Sequence, residues 1–304
     1  MSEMFSSSLV EHVKKNSNIY LLSGDHGYAL FDLLRKQLPS HFINAGVAEQ
    51  NMVGVAAGMA KQGLYPIIYG LCSFVPVRVL EQIKIDLCYE NLPCLIIGDG
   101  AGIVYSHLGS SHQSTGDIAV LRALPNISIL SPCDKYELKA CFDWALRQKS
   151  PIYMRLGKAD LGEVYSQDVI IQAGKPILVQ GSRSDIAFAV TGSMVKMAHR
   201  LNLDFTFKAN IYSFPIIKTL DKLHIVDTFK KYKMVFVLEE HSVYGGLGSA
   251  LSEIFAALSG SPQIHRIGIQ DKFSVFCGSY DYLIKEHGLA ITDIAKKING
   301  ILEH

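Results

Sequence analysis

The sequence predicts an α/β protein of two domains, residues 1–165 and 166–304, each a mainly parallel sheet with helices on both faces. Two observations predict it. Short apolar runs bounded by Gly, Asn, Ser and Pro alternate with stretches of helical periodicity. The alternation stops once and restarts: from about 157 to 184 the pattern lapses into Gly, Lys, Asp and Gln, as a crossing between domains does. A chain of 304 residues is long enough for two cores of ordinary size.

In the first half the pattern gives a helix over 4–16, a strand over 18–23, a helix over 29–38, a short strand leading to Glu49, and a helix from Gln50 to Lys61. Strand 65–70, helix 76–90, strand 93–98, a Gly-, Ser- and His-rich loop over 99–116, helix 117–123, strand 127–131, helix 134–148 and strand 151–155 follow. The second half gives strand 186–192, helix 194–202, strand 205–212, helix 219–231, strand 233–238, helix 245–258, strand 263–267 and a final helix near 291–302. Ligands of such sheets bind at the carboxyl ends of the strands. Asp25, Glu49, Phe74 and the 99–116 loop all fall at such ends, which points to one shared pocket.

Composition removes several function classes. A net charge of +1 with 19% charged residues offers no large basic surface for nucleic acid. No apolar run reaches the ~18–20 residues that span a bilayer, and 1–8 carries no signal-peptide pattern. The six cysteines lack CxxC spacing, so reduced buried thiols in the cytoplasm are expected rather than a zinc site.

The stretch with most chemistry is Phe42-Ile-Asn-Ala-Gly-Val-Ala-Glu-Gln-Asn-Met52. Gly46 offers a backbone without Cβ for a strand-to-helix turn, and Met52, Val53, Val55, Ala56 and Met59 recur at helical spacing. Glu49 therefore lies in the first turn, beside the positive end of the helix dipole. Position alone reads it as a carboxylate capping its helix. By the same standard Phe74 reads as core, His112 as a loop histidine, Arg155 as an ion-paired surface arginine and Asp25 as a turn aspartate.

Taken together these segments resemble the transketolase family, from about Leu21 to Lys297. The Glu49 stretch is similar to the family's glutamate motif, where the carboxylate hydrogen-bonds the aminopyrimidine of thiamine diphosphate and controls its tautomer. Ser73-Phe-Val-Pro-Val-Arg-Val-Leu-Glu-Gln-Ile83 is similar to the segment that stacks an aromatic on that ring, which implies cofactor-binding roles for Phe74 and Arg78. Leu108-Gly-Ser-Ser-His-Gln113 resembles the His-Gln segment, which gives His112 a place near the pyrimidine amino group and the substrate oxygen. The resemblance also implies that Arg155 binds a substrate phosphate and that Asp25 lies near the subunit interface and cofactor. Glu239-Glu-His241 and the glycines after it match a signature of the family's C-terminal domain, where they serve structure at the domain junction.

Departures bear on the substrate. Leu108 stands where relatives carry an aspartate touching the donor's C2 hydroxyl, Gly100 where they carry a histidine, and Leu71 where many carry a second aromatic. Ordinary pentose phosphates are thereby put in doubt. Gly98-Asp99-Gly100 followed after 25 residues by Asn126 imitates the magnesium motif of thiamine enzymes, but it lies in the pyrimidine-side half and is set aside as coincidence.

The resemblance covers only the second and third domains of a full transketolase. It implies the C-terminal subunit of a split, two-chain enzyme: self-associating, paired with an N-terminal transketolase subunit as α2β2, with Mg2+ ligated by that partner. The expected reaction moves a two-carbon ketol unit from a ketose to an aldose, with sugar or sugar-phosphate substrates, in keeping with specialised carbohydrate biosynthesis. Two alternatives stand beside it: a deoxyxylulose-phosphate-synthase-like or 2-oxo-acid-dehydrogenase β-type subunit, and a non-catalytic structural or regulatory subunit.

Overall fold

The computed structural model describes residues 2–158 and 161–303. In chain order the first half runs α1 (Ser2–Lys15), β1 (Ile19–Ser23), α2 (Asp32–Gln37), β2 (Phe42–Asn44), α3 (Glu49–Lys61), β3 (Tyr65–Leu71), α4 (Leu80–Gln82), β4 (Cys94–Asp99), α5 (Asp117–Arg122), β5 (Ser128–Leu130), α6 (Lys135–Ala145) and β6 (Pro151–Leu156). The second half continues with β7 (Ile177–Gln180), β8 (Ile186–Val190), α7 (Met194–Asp204), β9 (Asn210–Ser213), β10 (Ile216–Lys218), α8 (Lys222–Phe229), β11 (Met234–Ser242), α9 (Leu247–Phe255), β12 (Gln263–Ile269), α10 (Tyr280–Glu286) and α11 (Ile291–Leu302).

Two sheets result, in the orders β10-β5-β6-β4-β3-β1-β2 and β12-β11-β8-β9-β7. Among the described residues pairing is parallel except at two edges, β10 on β5 and β7 on β9. The α/β architecture therefore holds. The central strands β4 and β6 are apolar runs buried almost throughout, as strands covered on both faces must be.

Helices supply the covers. Phe5, Leu9, Leu34 and Phe142 from α1, α2 and α6 close one face of the first sheet. Met52, Val53 and Ala56 of α3 close the other, within an apolar cluster that continues to Val237 and Leu251 of the second half. The far face of the second sheet packs against Val195, Leu201, Leu283 and Ile298. Local chemistry starts several helices. Asp134 accepts from the backbone N–H groups of Tyr136 and Glu137 at the head of α6, and Asp221 from that of His224 at the head of α8.

Four elements differ from the sequence expectation. β10 lies between the expected strand 205–212 and helix 219–231, and it pairs with β5 (Ile216 with Leu130, Lys218 with Ile129), so the second half completes the first sheet. β9 begins only at Asn210. The Asn202 side chain donates to the Ala209 carbonyl (2.7 Å) and accepts from its N–H (3.0 Å), which holds 205–209 as the return from α7. α10, capped by Ser279, is additional. The expected helix 76–90 is a 3-10 turn (Val77–Val79), a short α4 and a π-helix (Ile83–Tyr89).

Candidate active site

β2 ends at Asn44, and the chain turns through Gly46, whose φ of 69° is left-handed and favours glycine. The Asn44 side chain accepts from the Gly46 N–H at 2.9 Å and donates to Asp25 at 2.9 Å. Asp25 also accepts from the Tyr28 hydroxyl at 2.6 Å. These bonds, the tyrosine's first, hold the Asp25 carboxyl below the usual range. Asp25 thus shapes the turn that delivers Glu49.

Glu49 is the first residue of α3 and only 4% exposed. Its carboxylate is taken by Arg78, whose Nη1 lies 3.1 and 3.2 Å from the two oxygens. The Arg78 guanidinium also covers the Phe74 ring, 4.1 Å from its centroid. The His112 ring meets Phe74 edge-on, with centroids 5.3 Å apart. Four residues expected at the site from three separate segments therefore form one continuous cluster. It lies beyond the carboxyl ends of β2, β3 and β4.

The loop carrying His112 is fastened at several points. Gly102 and Ser114 exchange backbone hydrogen bonds of 2.9 and 2.8 Å. The Ser274 hydroxyl donates to the Gln113 side chain at 2.8 Å, and Glu240 accepts from the Ile103 N–H at 2.9 Å. Gly100 is required locally: its φ is 76°, and a Cβ there would lie 2.0 Å from the Tyr105 ring. Tyr105 in turn donates to Asp99 at 2.9 Å. Asp99 ends β4, whereas Asn126 precedes β5 and donates to the Cys88 carbonyl. The two stand at opposite ends of the sheet, about 15–20 Å apart by strand rise.

Arg155 is not a surface arginine. It is 3% exposed, and its Nε and Nη2 reach the two oxygens of Asp117 at 2.8 and 3.2 Å. Tyr153 donates to the same carboxylate at 2.9 Å. The Nε–Nη2 edge of the guanidinium is thus taken by Asp117, and Nη2 also donates to the Glu240 carbonyl of the second sheet at 3.3 Å, so Arg155 sits at the junction between the sheets. Asp117, Tyr153 and Cys72 were not singled out from sequence, because Asp117 meets its partner only after folding.

Glu239, Glu240 and His241 at the end of β11 complete this junction. Glu239 accepts from the N–H groups of Leu247 and Gly248 (2.8 and 3.0 Å) at the head of α9, and Glu240 from Ser193 and Tyr280 (both 2.6 Å). Burial pushes the Glu239 carboxyl up to about 7 and the His241 imidazole down to about 4. The two act oppositely on stability. The raised acid stabilises the fold below its unfolded pKa and loses that contribution as pH rises toward 7. The depressed histidine stabilises above its unfolded pKa and loses that contribution as pH falls toward 4. Glu239→Gln removes the acid's contribution and leaves that of the histidine, so we predict that between pH 4.5 and 6.5 the melting temperature of the variant climbs more steeply with pH than that of the native protein, by a few kcal/mol at most in stability. Parallel profiles for the two proteins would refute this.

Comparison with known proteins identifies the family. Residues 1–163 match the transketolase pyrimidine binding domain, and residues 175–294 the transketolase C-terminal domain. A putative transketolase C-terminal section of Methanocaldococcus jannaschii is 34% identical over 306 residues, covering 98% of this chain and 95% of its own length. An apulose-4-phosphate transketolase subunit of Actinobacillus succinogenes is 30% identical over 276 residues, covering 87% and 86%. A solved split-gene transketolase, an inactive β4 tetramer, superposes with a TM-score of 0.86 at 28% identity, covering 98% of this chain and 96% of that one. The chain belongs to the transketolase family.

Proposed function

We propose that the chain is the C-terminal subunit of a two-chain, thiamine-diphosphate-dependent transketolase that moves a two-carbon ketol unit from a ketose donor to an aldose acceptor. The observation that carries the reading is the Glu49, Phe74 and His112 cluster: a buried carboxylate at a helix start, an aromatic ring beside it and an imidazole in T-shaped contact with that ring. These residues fit the pyrimidine half of the cofactor. Glu49 offers a shielded oxygen to a ring nitrogen and holds the shared proton there, Phe74 offers a stacking face, and His112 can hold or move a proton at the donor's oxygen. The bound cofactor supplies the carbon nucleophile and electron sink.

The reading includes an N-terminal partner that ligates Mg2+ and completes the site in an α2β2 assembly, with the domain boundary near 165. The names of the relatives above, one a C-terminal section and one a transketolase subunit, support a divided enzyme. Cys72, Cys88, Cys94, Cys133 and Cys141 are buried free thiols, which suits a reducing cytoplasm. Among the described residues no helix is long and apolar enough to cross a membrane.

Calorimetric titration of thiamine diphosphate with Mg2+ tests the reading. Tight binding is expected when the chain is paired with its partner and not when it is alone, together with two-carbon transfer between sugars by the pair. Equal binding by the lone chain would overturn the shared site. No binding in either setting would overturn the catalytic reading.

A further inference from the structure

The placement of Arg78 carries an inference about access to the site that rests on the transketolase reading. Two contacts define a place for an aminopyrimidine here: a hydrogen bond to Glu49 and a flat stack on Phe74. One guanidinium makes the first and lies over the ring face that the second needs. Its Nη1 sits 3.1 and 3.2 Å from the Glu49 oxygens, and its central carbon lies 4.1 Å from the Phe74 centroid. A guanidinium is planar, carries N–H donors and stacks on aromatic faces, as an aminopyrimidine does.

The contact is also built to be given up. Arg78 presents one nitrogen to both oxygens rather than two parallel donors, which forgoes the stronger fork geometry. Its side chain is 45% exposed while that of Glu49 is 4% exposed, so the arginine covers the carboxylate from the solvent side. It sits in the 3-10 turn Val77–Val79, on the surface rather than in the core.

We infer that Arg78 is a displaceable stand-in for the aminopyrimidine, which keeps Glu49 and Phe74 closed until a ligand offering both a donor edge and a flat face takes its place. Access to the two groups is thereby coupled. A sugar lacks the aromatic face and an aliphatic amine lacks the plane, so neither replaces both contacts. Arg78 acts as a specificity-determining residue for cofactor entry, not as a catalytic one.

The test is calorimetry of thiamine diphosphate with Mg2+ into the chain assembled with its partner. Arg78→Ala is expected to tighten binding about five- to tenfold, the worth of one half-exposed ion pair with a stacked cation. Arg78→Lys, which keeps the charge without the plane, is expected to fall between that variant and the native complex. A residue with a merely structural role gives no such gain. Unchanged or weaker binding by a folded Arg78→Ala complex, with the native complex binding normally, overturns the inference alone. A native complex that binds no cofactor overturns the transketolase reading and this inference with it.

Discussion

Glu49→Gln is expected to lower turnover of the assembled enzyme by about a hundred- to ten-thousand-fold, the range assigned to a positioned proton-transfer group. Fold and subunit assembly should remain intact. The substitution preserves shape and removes only the charge and proton affinity of a group that is 4% exposed at the start of α3. It breaks the pair with Arg78, but that arginine is half exposed, so the stability change should stay within about 1 kcal/mol. A neutral amide is also easier to bury than a carboxylate. Turnover, melting temperature and size of the assembled complex separate the possibilities. Unchanged turnover would revive the non-catalytic subunit. Loss of assembly would make Glu49 a structural residue.

The legible and illegible parts of the site divide along a physical line. Glu49, Phe74, Arg78 and His112 could be found in sequence because each sits in a local segment whose turn and helix start are written in adjacent residues, with Gly46 and the apolar repeat of α3 the clearest case. What a side chain meets across the fold is not so written. Arg155 at the end of β6 has the same local sequence whether it faces solvent or Asp117, which lies 38 residues earlier. The neighbouring second sheet adds a further acceptor, the Glu240 carbonyl at 3.3 Å from Arg155. β10 escaped for a similar reason. Three residues carry too little periodicity to declare a strand, and its partner β5 lies in the other half of the chain. The π-helix after Arg78 was invisible because a widened turn leaves the apolar repeat of a helix nearly unchanged.

The second large effect follows from that pairing. Arg155→Met should destabilise the chain by about 3–5 kcal/mol, because it leaves the Asp117 carboxylate buried without its counter-charge. For a chain of 304 residues that corresponds to a fall in melting temperature of roughly 5–8 °C. Burial alone would push the Asp117 carboxyl up, and the Arg155 guanidinium, together with His241 and the Tyr153 hydrogen bond, outweighs it to hold the group below its usual range. Without that cation the carboxyl must take up a proton or draw in water, and Tyr153 with Cys72 offers only neutral bonds in compensation. Adding Asp117→Asn to Arg155→Met removes the orphaned charge, so the double variant should regain much of the loss. A surface arginine that gripped a substrate phosphate would behave differently: its removal would raise KM for phosphorylated sugars and leave melting unchanged. Thermal melts of the two variants beside steady-state kinetics therefore decide between a residue that joins the two sheets and one that binds substrate. The geometry supports the first, since the Nε–Nη2 edge of the guanidinium is already taken by Asp117 inside the protein.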